Sequence, residues 1–179
     1  MTLPFYQVDA FTSKLFGGNP AAVVPLEKWL DDKTLQNIAA ENNLSETAFF
    51  VKEREHYHIR WMTPVNEVPL CGHATLASAY VIFNFIEKDA AKIKFMSKSG
   101  ELIVNREGET LTLDFPSHKP HQIPMNETIK KCFDKEPLEI LENGFYILII
   151  FDSEEYIRNF QPNFELIKQI HPHAVIVSA

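Results

Sequence analysis

Apolar and polar positions alternate along residues 4–11 and 56–62, the pattern of half-buried strands. Shorter apolar runs at 21–24 and 47–51 also read as strands. Residues 15–19 hold two glycines and an Asn, with Pro20 next, which mark a turn. Asp31 or Asp32 can cap a helix that carries Leu35, Ile38 and Ala39 on one face and ends near Asn42 and Asn43. A strand series follows at 92–96, 101–105 and 110–115, with Glu107-Gly108 as the hairpin turn between the last two. Residues 72–86 behave differently. Ala74, Leu76, Ala77, Ala79, Tyr80, Val81, Ile82, Phe83, Phe85 and Ile86 cover nearly the whole circumference of a helix. A helix apolar all round belongs inside a protein. Among so many strands, this predicts a sheet wrapped around a central helix.

Pro116, Pro120 and Pro124 cannot sit inside a ladder or a helix interior. They divide a first domain, residues 1–116, from a linker at 117–124 and a second domain at 125–179. The second domain is expected to hold helices near 127–133 and 163–170 and strands at 145–151 and 174–178. It is short, and a unit of that size buries little surface alone. Its final strand also leaves a sheet edge with nothing after it. We therefore expect the second domain to be incomplete.

Composition narrows the function classes. The chain of 179 residues is 45% apolar and 23% charged, with 14 Phe, a globular composition with material for a core. Its net charge of −7 argues against binding a phosphate backbone, so no nucleic-acid partner is expected. The N-terminus lacks a basic segment followed by a long apolar one, and no run is long enough to span a bilayer. A cytoplasmic protein with no membrane partner is the expectation. Two Cys make neither a disulfide framework nor a four-Cys zinc site, and fit a reducing compartment. The His pairs 56/58, 118/121 and 171/173 are too few for structural zinc without further partners, so no metal is expected. Gly17-Gly18-Asn19-Pro20 is too short for a dinucleotide fingerprint.

Four positions could carry chemistry. Gly72 opens the apolar helix, where free amides and the helix dipole favour a carboxylate or phosphate and a glycine permits close approach. His73 stands beside it as a proton donor. Glu46 lies between a helix end and an apolar strand, where a carboxyl group can be tuned for proton transfer, though most Glu residues are simply exposed. Cys71 precedes the helix N-terminus, where a thiolate is stabilised; it reads either as a base or as a small buried apolar residue.

At these residues a resemblance emerges. The run Arg60-Trp61-Met62-Thr63-Pro64-Val65-Asn66-Glu67-Val68-Pro69-Leu70-Cys71-Gly72-His73-Ala74-Thr75-Leu76-Ala77-Ser78-Ala79 resembles the phenazine biosynthesis PhzF-like family. So do Gly18-Asn19-Pro20-Ala21-Ala22-Val23 and Asn43-Leu44-Ser45-Glu46-Thr47-Ala48-Phe49. Leu113-Asp114-Phe115-Pro116 is similar to the close of that family's first domain. The resemblance implies an α+β fold like diaminopimelate epimerase: two similar domains, each with sheets wrapped around a central helix, and an active site between them. It implies proton transfer without a cofactor; in the phenazine-pathway member the substrate is a dihydro-hydroxyanthranilate and the reaction an isomerisation. By motif position, Glu46 is the general acid/base, His73 assists it, and Asn19, Gly72, His73 and Ala74 bind a small carboxylate-bearing substrate.

The chain departs from the family in two ways. It contains no acidic-Pro-x-Thr-Gly-Ser motif, which opens the family's second central helix, so half of the site is expected to be missing and activity impaired. Racemases and epimerases of this fold use two Cys, one per domain. Cys71 resembles the first, but Cys132 precedes Phe-Asp rather than Gly. An isomerase centred on Glu46 is therefore preferred to a Cys-dependent racemase. The remaining alternative is a non-catalytic remnant or interaction module that pairs with itself, as a homodimer, or with a companion chain.

Overall fold

The computed structural model describes residues 2–14, 16–144, 146–171 and 174–179. The chain divides into two compact units between Phe115 and Pro116. In the first, β1 (Tyr6–Ala10), β2 (Asn19–Leu26), β3 (Thr47–Glu53) and β4 (His56–Met62) are followed by a short β5 (Glu67–Val68). Helix α1 (Asp32–Asn42) connects β2 to β3. Helix α2 (Gly72–Val81) leads into a π-helical turn at Ile82–Ile86, and β6 (Lys92–Ser97), β7 (Gly100–Glu107) and β8 (Thr110–Asp114) complete the unit. The sheet order is β1-β2-β3-β4-β6-β7-β8, with β5 on β4. Pairs β2/β3 and β4/β6 are parallel and the others antiparallel.

The two outermost strands, β1 and β8, both pack on α2, as do β2 and β3. One helix touching both ends of one sheet means that the sheet curls around it. Side-chain alternation explains how β2 and β3 read as apolar runs. Ala21, Val23, Ala48 and Phe50 face the cluster around α2, whereas Val24, Leu26, Phe49 and Val51 face a second cluster with Leu35 and Ala39 of α1. Over 21–24 and 48–51 both faces of these strands are buried, so no polar residue interrupts those runs. Asp31 caps α1 by accepting the Thr34 amide at 3.0 Å.

The helix expected over 72–86 keeps its bounds but changes form. After Val81 the ladder widens, and the Glu87 amide donates to the Ile82 carbonyl, five residues back, at 2.7 Å. Carbonyls in this stretch are taken from outside the ladder. The Asn84 side chain donates to Tyr80 O at 2.8 Å, and Arg106 Nη1 donates to Phe83 O at 3.2 Å. Burial is also incomplete there: Tyr80, Phe85 and Ile86 are exposed.

The second unit contains β9 (His121–Gln122), α3 (Glu127–Cys132), β10 (Glu139–Glu142), β11 (Tyr146–Ile150), α4 (Glu154–Asn159), α5 (Phe164–Ile167) and β12 (Ala174–Ser178). Its sheet order is β12-β11-β10-β9, with β12 parallel to β11. The expected linker at 117–124 thus contributes a strand. β9 is two residues long and lies at a sheet edge between Pro120 and Pro124, where the prolines cost no ladder bond. The strand expected at 145–151 is found at 146–150, and Phe145 lies outside the described residues, as does Leu15 of the expected 15–19 turn. Strands β5 and β10 and helix α4 have no counterpart in the sequence reading. The unit has a core of its own, with Ile129, Phe133, Ile140, Ile147, Ile149 and Phe151 buried together.

Candidate active site

Two chain reversals bring the candidate residues together. Asn43 ends α1 in the left-handed conformation (φ 50°), its amide donating to Ala39 O at 3.2 Å. Asn tolerates that conformation better than most side chains. Three residues later Glu46 precedes β3. Its carbonyl accepts the Ala22 amide of β2 at 3.3 Å, and Asn42 Nδ2 donates to Thr47 Oγ1 at 3.2 Å. The Glu46 peptide is thereby pinned between α1, β2 and β3. On the other side, Cys71 is extended (φ −146°, ψ 116°) and serves as N-cap of α2 without a capping hydrogen bond from its side chain. Thr75, fully buried, donates its amide and its hydroxyl to the Cys71 carbonyl, which fixes the first turn.

The result is a compact cluster. His73 Nε2 lies 3.5 Å from Glu46 Oε2, and His73 Nδ1 lies 3.4 Å from Cys71 Sγ. The imidazole bridges carboxylate and thiol. Cys71 and His73 are buried, whereas the Glu46 side chain is 21% exposed. The approach of Glu46 to His73 is an ion-pair distance without hydrogen-bond geometry, so His73 Nε2 is buried with no hydrogen-bond partner. Burial, reinforced by the Glu46 charge, pushes the Cys71 thiol up to about 12. Cys71 is therefore a thiol rather than a thiolate at neutral pH. One donor atom from each of Glu46, Cys71 and His73 falls within 4.8 Å of the others, close enough to hold an ion.

The other expected binding residues are placed less centrally. Gly72 begins α2, but a Cβ there would stand 3.0 and 3.1 Å from Phe115 Cζ and Cε2. The glycine leaves room for the Phe115 ring, a contact the sequence reading missed. Ala74 is fully buried in the main core and offers the site only its amide. Asn19 opens β2 opposite Ala10 and is not one of the three clustered side chains. The bond from Asn42 to Thr47 was also missed; the neighbouring Asn pair at a helix end was its only signal.

A family model described as phenazine biosynthesis-like protein, PhzC-PhzF, matches residues 8–179. The chain belongs to the PhzC/PhzF phenazine biosynthesis-like family. It is 45% identical over 179 residues to an uncharacterized isomerase of Pseudomonas aeruginosa, covering all of this chain and 69% of that one. It is 45% identical over 182 residues to an uncharacterized isomerase of Halalkalibacterium halodurans, covering all of this chain and 68% of that one. Among solved structures, a PhzF-family protein of Enterococcus faecalis matches with a TM-score of 0.90 and 42% identity, over 99% of this chain and 68% of that one. A predicted epimerase of Pseudomonas aeruginosa, 19% identical with a TM-score of 0.73 over 98% of this chain and 70% of that one, shares the fold.

In this PhzF-like chain the second cysteine has a structural place. Cys132 is buried in the core of the second unit and donates to Thr128 O at 3.2 Å. His56 and His58 share one partner, Glu53, at 3.6 and 3.7 Å, and both are partly exposed. His171 faces Glu142 at 3.8 Å, and His173 lies outside the described residues. No helix among the described residues is long and apolar enough to cross a membrane.

Proposed function

We propose that the protein is an isomerase that moves a proton between carbons of a small carboxylate-bearing substrate, without a cofactor. The observation that carries this reading is the pairing of Glu46 with His73 at the N-terminus of α2. Glu46 is the acid/base: it removes a proton from one carbon and returns it to another, which requires a group partly open to substrate. Amides of the first turn of α2, at Gly72, His73 and Ala74, hold the substrate carboxylate, because they lack partners within the helix. Donors fixed there stabilise negative charge as the proton leaves. His73 completes the pair by hydrogen bonding to Glu46 or to the substrate as charge develops. Cys71 is a packing residue, consistent with a thiol kept protonated by burial.

The test is solvent-hydrogen exchange by the full-length protein in deuterated water with a panel of small unsaturated and hydroxylated carboxylates. Deuterium should enter at carbon during turnover. Glu46→Gln keeps the shape and removes the proton-transfer group, so exchange should fall by about 100-fold or more. Exchange that survives Glu46→Gln but disappears in Cys71→Ser would replace this reading with a Cys-dependent racemase.

A further inference from the structure

The three clustered side chains together form a donor set suited to a chemistry beyond proton transfer. We propose that Glu46, Cys71 and His73 bind one thiophilic divalent cation of the Zn2+ class, and that the bound ion switches the site off. The switching half of this inference rests on Glu46 being the acid/base; the binding half does not.

The donors are sulfur, imidazole nitrogen and carboxylate oxygen, the three ligand types that Zn2+ takes from proteins. With bonds of about 2.3 Å to sulfur and about 2.0 Å to nitrogen, a tetrahedral ion separates those two donors by roughly 3.5 Å. Cys71 Sγ and His73 Nδ1 stand 3.4 Å apart. One donor from each of the three residues can be chosen with every separation within 4.8 Å, and closure around an ion draws the partly open Glu46 carboxylate inward. Cys71 and His73 sit on the cap and first turn of one helix, fixed by the bonds from Thr75 to the Cys71 carbonyl.

A second observation points to a ligand. His73 is 9% exposed, and its Nε2, directed at Glu46, has no hydrogen-bond partner. A buried polar atom left unpaired is costly, and a group that supplies the missing interaction recovers that cost. With Nδ1 on the ion beside Cys71 Sγ, the imidazole is held in the Nε2–H tautomer, and that N–H donates to a Glu46 oxygen once the carboxylate is drawn in. Binding converts Cys71–SH and the cation into a thiolate–metal bond and one proton released to solvent. Three protein ligands leave a fourth position for water. With its oxygen on the ion, Glu46 has lost the lone pair that would accept a proton from carbon.

The experiment titrates full-length protein with Co2+, whose thiolate complexes absorb in the near ultraviolet, and displaces it with Zn2+ against a chromophoric chelator. One ion per chain should bind, with a thiolate-to-cobalt band that Zn2+ abolishes. Cys71→Ser should lose that band, and Cys132→Ser should keep it. His73→Asn and Glu46→Gln should each weaken binding by at least the ~10-fold seen for loss of supporting groups around metal sites. No saturable binding, or a band that persists in Cys71→Ser, overturns the site. Zn2+ binding at one equivalent that leaves solvent-hydrogen exchange unchanged overturns the switch. Exchange lost on adding Zn2+ and restored by chelator supports it. Failure to detect any exchange bears on the proposed isomerase, and the cobalt spectrum still decides the site.

Discussion

Placing α2 inside a curled sheet predicts a sharp contrast between neighbouring positions. Ala79 is fully buried among apolar side chains, and Tyr80, one residue on, is 45% exposed. An Asp at position 79 has no partner in the cluster around α2. At neutral pH it must either stay charged or take up a proton. For a fully buried carboxyl that means a pKa raised by up to about 3–5, or roughly 4–7 kcal/mol. The added volume in a packed core costs about 1–3 kcal/mol more. The total rivals the ~5–15 kcal/mol that stabilises a typical domain. Phe83→Asp is a poorer probe, because the Arg106 guanidinium lies 4.8 Å from the Phe83 ring and would pair with the new carboxylate. Phe83→Ala should cost about 3–5 kcal/mol through its cavity. Both tryptophans, Trp29 and Trp61, belong to the first unit, so fluorescence in urea reports that unit without the other. At a slope of about 1–3 kcal/mol per M urea, Phe83→Ala should move the midpoint by at least 1 M. Ala79→Asp should be largely unfolded at pH 7 and recover part of its stability near pH 4, where the carboxyl group is neutral. Tyr80→Ser should stay within about 1 kcal/mol of the parent. An Ala79→Asp variant melting within 1 kcal/mol of the parent at pH 7 would place α2 on the surface and refute the fold.

Two further outcomes follow from the charge environments. With the Cys71 thiol pushed up to about 12, its thiolate fraction at pH 8 falls roughly 1000-fold below that of a free thiol, partly offset by higher intrinsic reactivity. Iodoacetamide should modify Cys71 at least ~50-fold more slowly in native than in urea-unfolded protein, read by peptide mass spectrometry; equal rates would mark a reactive thiolate. Arg60 pairs with both Glu67 oxygens at 2.9 Å and Lys98 adds a third contact, holding the Glu67 carboxyl at about 2. A depressed carboxyl pKa stabilises the fold above about 4.5, and that contribution is lost as pH falls through about 2. Screened at a partly open site, it amounts to about 1–2 kcal/mol, so Glu67→Gln should be less stable by that amount at pH 7 and equal to the parent near pH 2. A difference that stays constant with pH would show that the pair contributes packing alone.

What could be read from sequence follows the physics of each element. Helix α2 and the π turn after it were legible as one buried helix because ten apolar side chains fill the circumference of residues 72–86, and seven of the ten are in fact covered. Strands β2 and β3 were legible as strands, but not as strands buried on both faces, since a short apolar run looks the same either way. The π form of that turn was not legible: of the groups that take carbonyls along this stretch, Arg106 reaches Phe83 O from β7, far along the chain. Strand β9 hid behind prolines that exclude a central strand but not a two-residue edge. Helix α4 did carry a local signal. Ser153 caps it by accepting the Tyr156 amide at 3.2 Å, and Glu154 and Glu155 fill its first turn. At the site, spacing along the chain put Cys71, Gly72 and His73 together, whereas Glu46 reached them only through the resemblance. The distances among them, the orphaned Nε2 and the Phe115 ring over Gly72 depend on how β3 lies beside α2, which no local pattern encodes.

That arrangement also separates the roles of three groups that sequence alone left interchangeable. Cys71, His73 and Glu46 can all carry protons, and all sit at one helix end. Burial ranks them. Cys71 is enclosed, and the nearby carboxylate adds to the cost of ionising it, so its proton stays on sulfur at neutral pH. His73 is enclosed as well, with a nitrogen turned toward each neighbour. Glu46 alone keeps a fifth of its side chain open, which is the exposure the proposed acid/base role requires. A base that must release its proton to a different carbon needs that opening, whereas a thiol held for packing does not. The same ranking gives a thiophilic ion its leverage. On the proposed reading, the thiolate–metal bond displaces the Cys71 proton and draws Glu46 inward from the opening at which the proposed proton transfer takes place.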